Sequence, residues 1–138
     1  MTAISAAKKS VDRQDGDVYS FKQAAVKIWE GALVSVNAAG YVTNATDAAN
    51  DVFVGVADET VDNSGGAAGD KSIKVRRTGV YTVVFGGTAT IADVNTLVYV
   101  VDNQTVDLVG VTTNDVLVGR IVEFISATKV RVDIRDRV

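Results

Sequence analysis

The stretch Lys71-Ser-Ile-Lys-Val-Arg-Arg-Thr-Gly-Val-Tyr-Thr-Val-Val-Phe85 decides the fold class. Ile73 and Val75 alternate with Lys74 and Arg76. Beyond Gly79, Tyr81, Val83 and Phe85 alternate with Val80, Thr82 and Val84. A period of two marks a strand with one buried face and one wet face. A glycine inside such a pattern predicts a bulge or bend that carries the chain from one strand into the next sheet.

Working toward the N-terminus, Asp58–Asp70 is the longest turn-rich piece. Six acidic residues and no basic one lie between Ala45 and Asp70, and four basic residues with no acid follow between Lys71 and Arg77. This switch reads as a solvated loop beside a solvated strand face, or as a bipolar contact surface that docks head to tail on neighbours. Its contact residues would be Asp58, Glu59, Asp62 and Asp70 on one side and Lys74, Arg76 and Arg77 on the other. Asp62, Asn63 and Asp70 lack the alternating ligands and terminal Glu of a calcium loop, so no metal is expected there. The run Gly65-Gly-Ala-Ala-Gly69 lacks the Lys-Ser/Thr ending of a phosphate loop.

Val52-Phe-Val-Gly-Val-Ala57 reads as a strand with Val52, Val54 and Val56 on one face. Phe53, Gly55 and Ala57 share the other, and its small residues predict close approach by another strand. Leu33–Asn37 and Tyr41–Asn44 form a hairpin across Ala38-Ala-Gly40. Ala24–Trp29 is ambiguous, because Phe21, Ala25, Ile28 and Trp29 also fit a helical stripe. Glu30-Gly31 ends it too soon for a helix, which favours strand. Trp29 is either a core anchor or an interface anchor. Val18–Phe21 is a further short strand.

Toward the C-terminus, Thr88–Asn95 is a connector expected to tuck in Ile91. Leu97–Val101 and Thr105–Val109 are strands joined by a turn. In Val116–Ile125, Val116, Val118, Val122 and Phe124 alternate against Leu117, Gly119, Ile121 and Glu123. In Val130–Arg135, Val130, Val132 and Ile134 point inward. About ten short, regularly spaced strands predict an all-β fold: a small β-barrel or a jelly-roll-like sandwich. Residues 1–16, with Lys8, Lys9 and Arg13, read as a flexible N-terminal arm, and residues 17–138 as a single β domain.

Composition narrows function. The chain of 138 residues contains no Cys, no His and no Pro, and its net charge is −3. Without His it lacks the usual general base at neutral pH and the commonest metal ligand. Without Cys it has no thiolate nucleophile and no disulfide. A net acidic chain lacks the surplus of positive charge that binds nucleic acid phosphates, so no nucleic acid partner is expected. No apolar run reaches the ~20 residues of a membrane helix, so no membrane partner is expected. The N-terminus has no basic region followed by an apolar core. No catalytic residues and no cofactors are expected.

The order of segments resembles the head decoration, or cement, proteins of tailed bacteriophages. It starts with Gly31-Ala-Leu-Val34 and Phe53-Val-Gly-Val-Ala57. A variable Gly-rich loop precedes Ile73-Lys-Val-Arg-Arg-Thr-Gly-Val-Tyr81. The connector from Ile91 leads to Leu97-Val-Tyr99, and Val118-Gly-Arg-Ile-Val122 pairs with Val130-Arg-Val-Asp-Ile134. The resemblance covers roughly residues 20–135. It implies a compact β-barrel or jelly roll on the outer surface of the virion head. There it would clamp neighbouring major capsid protein subunits without any enzymatic step. It also implies a homo-oligomer, a trimer first and a dimer second. On this reading Lys8, Lys9 and Arg13 of the arm, the charged residues of 58–77 and Trp29 form the capsid or self interface. Two other readings compete. A glycan-binding or adhesin-like β-sandwich would gather exposed aromatics such as Tyr41, Tyr81 and Tyr99. A small trimeric jelly-roll nucleotide hydrolase would need a metal-binding carboxylate set.

Overall fold

A computed structural model describes residues 16–135. The fold is all-β, with twelve strands and a single 3-10 turn among the described residues. The strands fall into a five-stranded sheet, a closed five-stranded barrel and a two-stranded ribbon.

The first half of the chain builds the sheet. Its order is β1 (Val18–Lys22), β7 (Ser72–Arg76), β5 (Val52–Ala57), β3 (Leu33–Val36) and β4 (Val42–Asn44). Every pairing in it is antiparallel. The sheet curls until its ends meet: Gln23, just past β1, bridges Val42 of β4, and the Ala24 N–H donates to the Val42 carbonyl at 2.8 Å. Inside the curl, Ile28, Val34, Val42, Ile73 and Val75 are fully buried. The ribbon, β2 (Lys27–Ile28) with β6 (Val61–Asp62), brings Ile28 into that core. So Ala24–Trp29 is not helical, but its strand is only two residues long, and the turn-rich loop contributes a strand of its own.

The second half builds the barrel: β8 (Val80–Phe85), β9 (Leu97–Val100), β10 (Thr105–Asp107), β11 (Leu117–Ser126) and β12 (Lys129–Asp133). Around it the order is β10-β8-β12-β11-β9. Closure removes the sheet edges that would otherwise invite aggregation in a chain without Pro. Val98, Val100, Val106, Val118, Val130 and Val132 are fully buried in its interior. Leu33, Phe53 and Val56 of the sheet belong to the same buried cluster, so the sheet's outer face plugs the barrel.

The expected bend lies where the glycine stands. β7 belongs to the sheet and β8 to the barrel, and Gly79 between them has φ +119, a left-handed value that favours glycine. A β-carbon there would lie 3.2 Å from the Tyr81 ring.

Three expectations about facing need correction, and irregular backbone explains each. In β5, Val34 pairs with Gly55 but Ser35 pairs with Phe53, leaving Val54 as an extra residue. This bulge resets the alternation. Phe53 and Val56 face the barrel, Val54 and Ala57 face the sheet's own core, and Val52 is exposed. In β11, register shifts turn Ile121 inward at 0% exposure and Val122 outward at 40%. Phe124 is only partly buried there. In the connector, Ile91 is 77% exposed and Ala89 is buried in its place. Ala89 donates to the Ala127 carbonyl at 2.8 Å, which fixes it against the barrel. The Asp93 carboxylate accepts the Thr90 N–H at 2.8 Å and starts the 3-10 turn Ile91–Asp93 that carries Ile91 outward.

Candidate binding cleft

The bend between β7 and β8 opens a cleft of about 540 Å³ between sheet and barrel. Leu33, Val56, Ala57 and Val83 give it an apolar floor, and Glu30, Asp58, Arg76 and Lys129 stand at its sides. Arg76 is the organising charge. Its guanidinium bonds the Asp17 carboxylate at 2.7 Å and the Asp58 carboxylate at 2.9 Å. The hydrogen bond that Arg76 donates to Asp58, and then the charges of Asp17 and Asp58, raise the Arg76 pKa above its usual value. Asp17 is held further by the Thr78 hydroxyl at 2.7 Å, and its carbonyl accepts the Arg77 N–H at 2.8 Å. Beside them the Tyr81 hydroxyl donates to the Thr78 carbonyl at 2.9 Å. Burial pushes the Tyr81 phenol pKa up, and the nearby Arg76 charge opposes that shift.

The charged residues singled out from the sequence are largely turned upon one another. Besides Arg76, Arg77 donates through Nε to the Val54 carbonyl at 3.1 Å and lies 5.8 Å from the centre of the Tyr19 ring. Glu59 accepts the backbone N–H of Lys74 at 3.0 Å, and the Lys71 ammonium bonds the Asp62 carbonyl at 2.8 Å. Asp70 accepts the Ala67 N–H at 2.9 Å. Asp62 accepts from both the hydroxyl and the backbone N–H of Ser64, which lowers its pKa. The charge switch is therefore in large part an internal clasp between the loop and β7. The Lys74 residue remains exposed on the strand's outer face.

Trp29 is 58% exposed, with the Lys27 ammonium 3.7 Å from the centre of its ring. It is not a core anchor. It borders a small groove shared with Glu30, Asn103 and Gln104. Lys8, Lys9 and Arg13 lie outside the described residues.

Sequence reasoning weighed Asn63 only as a calcium ligand and missed that it organises the acidic loop. It is 1% exposed, and its amide nitrogen donates to the carbonyls of Gln23, Ala24 and Ala67. Its place between Asp62 and Ser64, ahead of a glycine pair, signals only a turn. Gln23 was missed too. It is fully buried, and its amide donates to Val26 and Val61 at 2.7 and 2.9 Å. No group of three or more carboxylates suited to a metal ion occurs among the described residues. Tyr41, Tyr81 and Tyr99 are each half-buried rather than exposed together. The chain matches no protein-family model and no curated protein.

Proposed function

We propose that this protein is a decoration protein of a tailed-phage capsid, a non-enzymatic binder that sits on the outer surface of the head and cements neighbouring major capsid protein subunits. One observation carries the reading. The segments that bear the resemblance are those that frame the fold, in the same order. Gly31–Val34 leads into β3 and Phe53–Ala57 is β5. Ile73–Tyr81 is the bent step from β7 to β8, and Val118–Val122 with Val130–Ile134 is the β11–β12 pair. A small barrel braced by a second sheet suits a part that transmits load and performs no chemistry. Such a protein stabilises a shell by binding the assembled lattice better than free subunits. Many copies on a symmetric lattice add avidity to each weak contact. Self-association, as a trimer in the first place and a dimer in the second, belongs to this reading.

The test is sedimentation with capsids assembled from the corresponding major capsid protein. The protein should travel with the shells, raise their resistance to heat, and release under mild denaturant. Failure to co-sediment at any ratio of protein to shell would end the proposal. Reversing Lys74 to Glu should weaken binding in a salt-dependent way. Lys74 is the appropriate position, because Arg76 and Arg77 are tied by bonds to Asp17, Asp58 and the Val54 carbonyl and reversing them would disturb the fold.

A further inference from the structure

We propose that the acidic loop between β6 and β7 binds a calcium ion, held by the buried amide oxygen of Asn63 and the carboxylate of Asp70, with Asp62 as the second carboxylate of the site. The inference does not rest on capsid binding.

Asn63 directly follows β6 and is 1% exposed. Its backbone N–H donates to the Val26 carbonyl at 3.1 Å, and its side-chain nitrogen donates to three further carbonyls. Those bonds fix the amide, since turned over it would set its oxygen against three carbonyl oxygens. The amide oxygen, Oδ1, is buried and accepts no hydrogen bond. In native proteins a buried acceptor is nearly always matched by a donor, a water or an ion.

Gly66 marks where the match stands. A β-carbon on it would lie 2.7 Å from Asn63 Oδ1 and 3.0 Å from Asp70 Oδ2. Its φ is not left-handed, so the backbone does not demand glycine there. The two oxygens do, because a side chain would take the space on which both converge. Together with Asp62, Ser64 and Lys71, these residues line one hollow of about 520 Å³. Asp62, Ser64, Gly66 and Asp70 are exposed, so an ion can enter from solvent.

This donor set is all oxygen and irregular, which selects calcium over magnesium. Calcium takes carboxylate, amide and water oxygens in flexible geometry, whereas magnesium demands a near-ideal octahedron. The sequence pattern spoke against a calcium loop because its ligands do not alternate. The fold supplies instead an amide oxygen that is already desolvated and fixed. Two carboxylates are a small charge for such a site. The Lys71 ammonium, 2.8 Å from the Asp62 carbonyl, opposes binding, as does Lys27, whose charge also reaches Asp62. The expected Kd is therefore about 10⁻⁴ to 10⁻³ M, the weak end of calcium sites.

The experiment is a titration of the full chain with calcium chloride at constant ionic strength, read by the backbone amide resonances. The amides of Asn63, Gly66 and Asp70 should shift and saturate by about 10 mM, and magnesium chloride should leave them in place. Asp70→Asn keeps an oxygen to accept the Ala67 N–H but loses the charge, and should weaken binding about tenfold or more. Gly66→Ala fills the space and should abolish binding. Asp47→Asn, on another loop, should bind as the unaltered chain does. Unchanged amides of Val98 and Val130 report in each variant that the barrel is intact. Absence of saturable shifts in the loop overturns the proposal, and so does unaltered affinity in Asp70→Asn. Equal shifts with magnesium, or shifts spread over every exposed carboxylate, would mean a diffuse ion atmosphere and overturn it too.

Discussion

Gly55 lies so close to the carbonyl oxygen of Arg76 that the side facing β7 has room for hydrogen alone. A methyl group there would also sit 2.8 Å from a Val75 side-chain carbon. Gly55→Ala should therefore cost about 3 kcal/mol or more, at the upper end of what overpacking a strand contact costs. Gly31 is the control. It has φ +88 and no atom within 4 Å of an added β-carbon, so Gly31→Ala should cost only the ~1–2 kcal/mol of a left-handed alanine. Urea unfolding midpoints of the two variants check this, and equal losses would contradict it.

The bulges in β11 make a second contrast between adjacent residues. Ile121→Ala should lose about 2–5 kcal/mol, because it empties a fully buried site in the barrel. Val122→Ala should change stability by no more than about 0.5 kcal/mol, since that side chain is substantially exposed. A larger loss at Val122 would restore the regular alternation that the sequence suggests.

That contrast marks where sequence reading runs out. The all-β class, the bend at Gly79, the hairpin at Ala38–Gly40 and the inward row Val130, Val132 and Ile134 follow from alternation and turn chemistry. What alternation cannot reveal is where one extra residue shifts its phase. Val54 and the irregular stretch around Ile121 do so through pairing with strands distant in sequence. The cleft was illegible for a related reason. It lies between sheet and barrel at the bend from β7 into β8, and no local pattern records how two sheets sit against each other. The basic residues were visible, but not that Arg76 and Arg77 would be tied to groups of their own chain.

Asn63 should be the most sensitive polar position in the acidic loop. Asn63→Ala leaves three carbonyls without their shared donor and should cost about 2–3 kcal/mol. Asn63→Asp should cost more, because a buried carboxylate would then face those same carbonyls. Thermal unfolding monitored by circular dichroism reads both, and an Asp variant as stable as the Ala one would count against the assigned amide orientation.

Two carboxylates on the loop between β4 and β5 pull stability in opposite directions with pH. Asp47 accepts the backbone N–H groups of Thr113 and Asn114 at 2.7 and 2.8 Å, which lower its pKa. A depressed carboxyl stabilises the fold above the unfolded value near 3.9, and that contribution fades as pH falls through the folded pKa. Burial raises the pKa of Asp51. Its ionisation therefore costs stability, and the cost grows as pH rises from the unfolded value through the folded one. At pH 7, Asp47→Asn should destabilise and Asp51→Asn should stabilise. Solvent screening keeps each effect below about 1 kcal/mol. Denaturation at pH 7 and pH 3 separates them, and shifts of the same sign at pH 7 would refute the assignment.

The main chain passes from sheet to barrel once, at Thr78-Gly79. Every described strand before that point belongs to the sheet or the ribbon, and every described strand after it to the barrel. During synthesis the first half leaves the ribosome with its own interior complete, built on Ile28, Val34, Ile73 and Val75. Its other face still carries Leu33, Phe53 and Val56 with nothing to cover them. The partners that complete that cluster come from the barrel, from Val83 and Phe85 of β8 through to Val130, Val132 and Ile134 on or just past β12, the last described strand. A nascent chain thus holds a sticky surface open until β12 is made, and the half-built form is the species most prone to join a neighbour.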